Sequence, residues 1–282
     1  MTMSISVIGL GMMGRPMART LLSAGRDIRG WNRSALSPDL TEGIPLCRTL
    51  EEASQASLCL LMLLDSKAVD AVLGQMEPYL EAGQVVVDMS SSDPTRSTLH
   101  ARRLTAKGIG WIDAPVSGGP EGAAAGTLAI MAGGAASDFE TVQPVLDILG
   151  GNVVHVGGPG MGHVVKIINQ VIVGLTIEAV AEGLTLAEKS GVDPRLVQQA
   201  LKGGFADSKI LQLHGTRMIN RSYVPGGKAT IQLKDLRLGQ ALAHTAGVRL
   251  PHVESLITFY EKLISQKDGD LDHSAIHKLL WT

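Results

Sequence analysis

Residues 4–156 alternate short aliphatic runs with amphipathic stretches, and no other feature of the sequence constrains the fold as strongly. Aliphatic runs bounded by turn residues predict strands, and the stretches between them have helical periodicity. The run Leu58–Leu64 is apolar throughout, which indicates a strand covered on both faces. We therefore expect a parallel sheet with helices on both sides. The predicted strands are Ser4–Ile8, Asp27–Trp31, Leu58–Leu64, Val85–Asp88, Gly110–Asp113, Leu128–Ala132 and Val153–Val156, and the predicted helices include Met13–Ser23, Lys67–Gln75 and Asp138–Leu149.

The second part of the chain has a helical pattern. The glycine-rich loop Gly157–Gly162 precedes a long apolar run from Val164 to about Lys189. Polar residues interrupt this run too often for a membrane span, so we expect a helix buried between two domains. Asp193 and Pro194 then supply a helix cap and a first helical residue. The predicted organisation is an α/β domain over 1–162, an interdomain helix over 163–190 and an all-helical domain over 191–282, with breaks at Gly203-Gly204, Pro225–Gly227 and Lys267–Asp270.

Composition argues against several classes of protein. A formal net charge of −2 without a basic run argues against nucleic-acid binding. Cys47 and Cys59 cannot build a disulfide framework, and the N-terminus lacks the features of a signal peptide, so a cytoplasmic protein is expected. The histidines show no metal-ligand spacing, and no metal is expected. With 33 glycines and only 3% aromatic residues, the chain should contain many tight loops where backbone approaches a ligand.

Three glycines stand between the first predicted strand and the first predicted helix. They follow the spacing Gly-x-Gly-x-x-Gly, which in this context is typical of dinucleotide binding. The glycines permit a tight turn, and they let backbone N–H groups at the helix N-terminus contact a pyrophosphate. The sequence thus predicts a Rossmann-type domain, with cofactor contacts from Gly9, Leu10, Gly11, Met12, Met13 and Gly14.

The end of the second predicted strand bears on the choice of nucleotide. An Asp or Glu there would bind the ribose 2′-hydroxyl of NAD, but this strand ends in Asn32, Arg33 and Ser34. Asn32 does not repel a 2′-phosphate, and the guanidinium of Arg33 can pair with one. NADP(H) is therefore favoured over NAD(H). The alternative is that Arg33 stacks on the adenine while either cofactor binds.

Lys166 lies near the start of the long helix, with Asn169 and Gln170 on the same face. All three are candidate catalytic residues, in which the amide of Asn169 or Gln170 would fix the lysine and the substrate hydroxyl. Desolvation lowers the pKa of an ammonium group, as a general acid for carbonyl reduction requires. A lysine that extends from the helix end into water is the competing interpretation.

Two other segments are candidate binding elements. Ser117, Gly118 and Gly119 follow a predicted strand, where their hydroxyl and N–H groups could bind a carboxylate; an ordinary turn is the alternative. Lys234 could contact the cofactor or an anionic substrate with Asp235 orienting it, although such a pair is by default a solvated helix face.

Six motifs in this order resemble those of the β-hydroxyacid dehydrogenase family and cover nearly the whole chain. They are Val7–Gly14 with Pro16-Met17, Asp88–Ser91, Asp113–Gly119, Gly126–Leu128, Gly158–Gly162 with Lys166, and Lys234–Leu236. The resemblance implies a Rossmann-type domain, a long interdomain helix, and a helical domain for substrate binding and for assembly into a homodimer or homotetramer. It also implies Lys166 as the general acid/base, a carboxylate site at Ser117–Gly119, and cofactor contacts from Leu63, Leu64, Ser91, Lys234 and Asp235.

The sequence departs from the family pattern at three places. Asn169-Gln170 stands where many members have two asparagines, and Leu64 stands where proline is usual. The segment Trp31–Arg33 resembles the NADP-using members more than those with Asp at that strand end. These departures bear on the preference for substrate and cofactor.

The resemblance implies an oxidoreductase that interconverts a small 3-hydroxy acid and its semialdehyde, with tartronate semialdehyde to glycerate as the first expected reaction. The same mechanism would serve 3-hydroxyisobutyrate, L-threonate, sulfolactaldehyde or succinic semialdehyde. An imine reductase on this scaffold or a non-catalytic cofactor-binding module would generally lack the lysine, so Lys166 argues against both.

Overall fold

The computed structural model describes residues 3–281 and divides the chain into two units, one ending at Lys166 and the other beginning at Ile167. The first unit has the predicted alternation of strands and helices. Its strands are β1 (Ile5–Ile8), β2 (Ile28–Trp31), β3 (Leu58–Leu61), β4 (Val85–Asp88), β5 (Gly110–Asp113), β6 (Val116–Ser117), β7 (Leu128–Gly134) and β8 (Gly150–Gly157). Its helices are α1 (Gly14–Ser23), α2 (Pro38–Thr41), α3 (Leu50–Ser54), α4 (Ser66–Met76), α5 (Pro94–Thr105), α6 (Gly119–Ala125) and α7 (Ala136–Leu149), with a 3₁₀ turn at Glu77–Tyr79.

The eight strands form one sheet in the order β2-β1-β3-β4-β5-β7-β6, with β8 paired to β7. The pairs from β2 to β5 are parallel, as predicted. The prediction of a parallel sheet is wrong for β7, which runs antiparallel to both β5 and β6. Hydrophobic periodicity reports which face of a strand is buried and carries no information on its direction, and the two-residue β6 is too short to leave a pattern.

Some strand ends also differ from prediction. β3 stops at Leu61 instead of Leu64, because the chain leaves the sheet there to form a loop. β7 and β8 are longer than predicted and extend to glycines, which lack the aliphatic side chains that mark a strand in sequence.

Alternate residues of the central strands enter two apolar clusters on opposite faces of the sheet. In β3, Leu58 and Leu60 belong to one cluster, whereas Cys59 and Leu61 belong to the other. This confirms a strand covered on both faces. Burial also raises the pKa of the Cys59 thiol to about 11, so it is an inert core residue.

The second unit is helical, as expected. Its elements are most of α8 (Met161–Lys189), then α9 (Pro194–Leu201), α10 (Lys209–Ile219), α11 (Ala229–Thr245), α12 (Pro251–Ser265) and a 3₁₀ helix at His273–Leu280. The predicted cap is present, since the Asp193 carboxylate accepts a hydrogen bond from the N–H of Arg195. Tyr260 and Leu263 of α12 lie at the centre of the core, together with Ile177 and Leu184 of α8.

Helix α8 is less buried than expected. It is long and apolar enough to cross a membrane by length and composition, and 28% of its most apolar window is buried within the chain. Ile168, Ile172 and Leu186 are exposed. The expectation of a buried helix is therefore wrong for the chain by itself, because α8 has more apolar side chains than the remaining elements cover.

Candidate active site and family

The carboxyl ends of four neighbouring strands form one edge of the sheet. Ile8 of β1 pairs with Leu61 of β3, Leu61 with Asp88 of β4, and Asp88 with Asp113 of β5. The loops that follow these residues therefore leave the sheet side by side. Ligands of open α/β folds bind at this edge, and the predicted cofactor loops after β1, β3 and β4 begin there.

The glycines of the first loop differ in the space that surrounds them. Gly9 has φ +103°, and a Cβ there would lie 2.3 Å from the Met62 carbonyl oxygen. A Cβ on Gly14 would lie 1.9 Å from the Gly9 carbonyl oxygen, whereas a Cβ on Gly11 would meet no atom within 4 Å. Gly9 and Gly14 thus serve the tight turn, and Gly11 borders open space. This cradle fits a dinucleotide pyrophosphate on the N-terminus of α1.

Asn32 holds this loop from the neighbouring strand end. Its Oδ1 accepts a hydrogen bond from the N–H of Leu10 at 3.0 Å, and its Nδ2 donates to the Ser34 carbonyl oxygen at 2.8 Å. The sequence predicts a nucleotide contact at Asn32 but gives no sign of this structural role, because the hydrogen bond joins residues 22 positions apart. Arg33 and Ser34 are exposed at the same strand end.

The loops after β3 and β4 are tied to each other. The Leu63 N–H donates to Ser90 Oγ at 3.0 Å, and the Ser90 N–H donates to Asp88 Oδ1 at 3.0 Å. Leu64, at the position where proline is usual, is 67% exposed, and Ser91 is half-buried beside Ser90. The predicted contacts Leu63 and Ser91 therefore lie on two mutually braced loops.

Two buried carboxylates attach the start of α8 to the sheet edge. Asp113 accepts hydrogen bonds from the N–H groups of Gly160 at 2.7 Å and His163 at 3.0 Å. The His163 ring, fully buried, donates from Nε2 to Asp88 at 3.2 Å. Burial raises the pKa of Asp113. Burial also opposes ionisation of Asp88, but the hydrogen bond and charge of His163, together with hydrogen bonds from Ser90, outweigh it and lower the Asp88 pKa.

His163 supports the site from a buried position, and its sequence context shows only that it lacks metal-ligand spacing. One turn beyond it, Lys166 is 9% exposed. Such burial does not suit the alternative of a lysine extending into water. The glycine-rich loop is needed here because a Cβ on Gly162 would lie 2.4 Å from the carbonyl oxygens of Asp113 and Met131.

The predicted carboxylate site has a backbone that requires glycine. Gly118 has φ +141° and Gly119 has φ +69°, and both follow Ser117 at the end of β6. Ser117 and both glycines are half-buried. Glycine adopts these two conformations more readily than any other residue, so the turn after Ser117 requires glycine at both positions.

Four predicted site residues form one polar network in the second unit. The Asn169 amide donates to Gln170 Oε1 at 2.8 Å, and the Gln170 amide donates to Asp235 Oδ2 at 2.7 Å. The Lys234 ammonium lies 3.1 Å from the other Asp235 oxygen. Asp235 is 2% exposed, so this pair is not the solvated helix face that the default interpretation assumed.

Comparison with known proteins identifies the family. The family model for the NAD binding domain of 6-phosphogluconate dehydrogenase matches residues 4–157. A second model, for the NAD-binding region of NADP-dependent 3-hydroxyisobutyrate dehydrogenase, matches residues 160–280. The 2-hydroxy-3-oxopropionate reductase of Escherichia coli is 40% identical in sequence, and the alignment covers 99% of this chain and 97% of the reductase. The chain belongs to the β-hydroxyacid dehydrogenase family.

Other members of the family are similar over the full length. The 2-(hydroxymethyl)glutarate dehydrogenase of Eubacterium barkeri is 33% identical over 99% of this chain and 95% of its own. The solved structure of Mycobacterium tuberculosis 3-hydroxyisobutyrate dehydrogenase with L-serine has a TM-score of 0.88 at 28% identity, over the whole of both chains. This β-hydroxyacid dehydrogenase is therefore an NAD(P)-dependent oxidoreductase with a Rossmann-type domain followed by a helical domain, as the sequence predicts.

One further cluster in this β-hydroxyacid dehydrogenase has side chains that can bind metals. His214, Asp272 and His273 place one ligand atom each within 4.8 Å of the others. The Asp272 oxygens, however, already accept hydrogen bonds from Arg217 at 2.6 Å and from Ser274 at 2.5 Å, besides backbone N–H groups. These contacts explain the cluster as a structural junction of the helical unit.

Proposed function

We propose that this β-hydroxyacid dehydrogenase reduces tartronate semialdehyde to glycerate with NADPH. The E. coli relative at 40% identity is named for this substrate as 2-hydroxy-3-oxopropionate reductase. The observation that carries the chemistry is the buried lysine, Lys166, in a helix whose first turn is attached to the cofactor edge of the sheet by Asp113. A buried ammonium held in place is a suitable proton donor to a carbonyl oxygen.

Different residues bind the substrate and transfer the proton. Ser117 and the N–H groups of Gly118 and Gly119 bind the substrate carboxylate, which orients the aldehyde. NADPH, when bound, supplies the hydride. Lys166 donates a proton to the aldehyde oxygen as it becomes the hydroxyl of glycerate, and Asn169 orients the reacting groups through its amide.

The proposed preference for NADPH depends on the residues that follow β2. Asn32, Arg33 and Ser34 include no carboxylate that would repel a 2′-phosphate, and the exposed guanidinium of Arg33 can pair with one. Arg33→Ala should weaken NADPH binding roughly tenfold or more while NADH binding changes little, because only NADPH carries the additional phosphate. Fluorescence titration with both nucleotides measures this, with the exposed Arg102→Ala as the matched control. Equal losses for both nucleotides would show that Arg33 stacks on the adenine.

A panel of aldehydes tests the substrate. Tartronate, methylmalonate, succinic and sulfonated semialdehydes are incubated with NADPH, and products are identified by NMR. Glycerate should form with the highest kcat/KM, and an aldehyde without an acidic group should not be reduced. Faster turnover of another semialdehyde would replace the proposed substrate, and turnover of none would refute the proposed function.

Lys166→Met tests the mechanism. It should lower kcat by about 10²–10⁴-fold, the usual contribution of a positioned acid, and leave the NADPH dissociation constant within a few-fold. Lys189→Met, an exposed lysine at the other end of α8, is the matched control and should behave as the unmodified enzyme. An undiminished kcat in Lys166→Met would remove this lysine from the reaction.

A further inference from the structure

In the polar network of the second unit, Asp235 determines which group of each amide side chain donates and which accepts. Asp235 lies in α11, is 2% exposed, and has the Lys234 ammonium at 3.1 Å from Oδ1. Such a paired carboxylate is an acceptor only. The group that approaches its other oxygen at 2.7 Å, Oδ2, must therefore be the N–H₂ of the Gln170 amide and not its carbonyl oxygen.

This choice determines the orientation of the next amide. With its nitrogen facing Asp235, Gln170 presents its carbonyl oxygen to Asn169, whose nitrogen donates to it at 2.8 Å. Asn169 then uses its own nitrogen inside the network, so its carbonyl oxygen is the atom that remains to serve the reaction. Asn169 lies one turn beyond Lys166 in α8, where an acceptor suits an ammonium group or a substrate hydroxyl.

The two helices are held at this point by contacts that prevent sliding. Gln232 donates from Nε2 to the main-chain oxygen of Gln170 at 3.0 Å. A Cβ on Gly174 would lie 2.8 Å from that same Nε2, and a Cβ on Gly239 would lie 2.8 Å from Val171 Cγ2. The carboxylate in α11 and the amides in α8 therefore keep a fixed register.

We propose that Asp235 is a positioning residue that acts through Gln170 to present the Asn169 carbonyl oxygen as a hydrogen-bond acceptor at the reacting groups. Gln170 is then a relay and not a substrate ligand. The inference rests on the proposed function for the role of Asn169, and it goes beyond the expectation that Asp235 serves the cofactor through Lys234.

An exchange of the two groups tests the direction of the relay. Asp235→Asn removes the obligatory acceptor, and Gln170→Glu places two acceptors against each other, so each should lower kcat about tenfold or more, as expected for loss of one oriented hydrogen bond. The double variant Asp235→Asn/Gln170→Glu restores the pattern, since the amide introduced in α11 can donate to the carboxylate introduced in α8, and that carboxylate can still accept from Asn169. Its kcat should return to within about threefold of the unmodified enzyme.

The same variants separate the relay from a role through the cofactor. Both Asp235→Asn and the double variant lose the carboxylate next to Lys234, so a role through Lys234 predicts no rescue and a weakened NADPH affinity in both. A double variant no faster than the slower single variant would overturn the proposal. Asp270→Asn is the control: this carboxylate also pairs with a lysine, Lys228, in the same unit, but its side chain is 85% exposed and its loss should leave kcat unchanged.

Gln170→Met provides a second route that keeps the side-chain volume without the amide. A lower kcat with unchanged KM supports the relay, whereas a raised KM with unchanged kcat would show that Gln170 binds substrate directly.

The melting temperatures of the single and double variants measure the coupling between Asp235 and Gln170 independently of catalytic activity. If the unmodified enzyme reduced no aldehyde, the proposed function would fail, and the relay would still be decided by whether the double variant is more stable than both single variants.

Discussion

The glycine loop after β1 allows the packing and binding roles of its residues to be separated. Gly14 begins α1 with ordinary helical geometry, so alanine would be favoured there by helix propensity. Yet its Cβ would lie 1.9 Å from the Gly9 carbonyl oxygen, where a carbon–oxygen contact needs about 3.3 Å. The backbone must therefore move by more than about 1 Å. At Gly11 a Cβ meets nothing within 4 Å and occupies only the space assigned to the cofactor.

Gly14→Ala should consequently destabilise the first unit by about 1–3 kcal/mol, and it should lower the melting temperature by roughly 2–12 °C. Gly11→Ala should melt within about 2 °C of the unmodified protein but bind NADPH on the order of tenfold more weakly, because its methyl group stands where the pyrophosphate approaches. Differential scanning calorimetry and NADPH fluorescence titration measure the two effects. Unchanged NADPH affinity in Gly11→Ala, or an unchanged melting temperature in Gly14→Ala, would refute this assignment of roles.

Two further predictions concern buried titratable groups. Burial lowers the pKa of His277 to about 4, so between about pH 6.5 and 4 the unfolded chain binds a proton that the folded chain does not, and stability should fall by about 3 kcal/mol as the pH drops through this range. His277→Gln should flatten the plot of melting temperature against pH, which the exposed His244→Gln should not; parallel curves for all three proteins would contradict this. Asp113→Asn retains one acceptor for two N–H groups, so it should cost about 1–3 kcal/mol and speed hydrogen exchange at Gly160 and His163. Unchanged exchange there would show that Asp113 does not hold α8.

Much of the fold could be predicted because it depends on local preferences. Strands β4 and β5 have the predicted bounds, and the Asp193 cap and the break at Pro225–Gly227 are present. Each depends on residues within a few positions of one another, whose spacing is visible in the sequence. The positive φ of Gly9 likewise follows from a turn that can be recognised locally.

The candidate site could be predicted as a set of residues but not as a set of contacts. Asn32 bonds to Leu10, His163 to Asp88, and Gln170 to Asp235 over separations of 22, 75 and 65 residues. No local pattern encodes such a pairing, since any polar residue at a suitable helix or strand position would give the same periodicity. The roles of these residues in binding and catalysis stay predictions until the variants are measured.

The sequence by itself determined most of the strands, helices and tight turns, because those choices depend on side-chain shape, glycine and capping within a few residues. Only the tertiary structure decided that β7 runs antiparallel to β5, that α8 leaves Ile172 exposed, and that the Gln170 amide is hydrogen-bonded to Asp235. These features depend on which distant groups meet, and the free energy of burying or pairing a group exists only once its neighbours are in place.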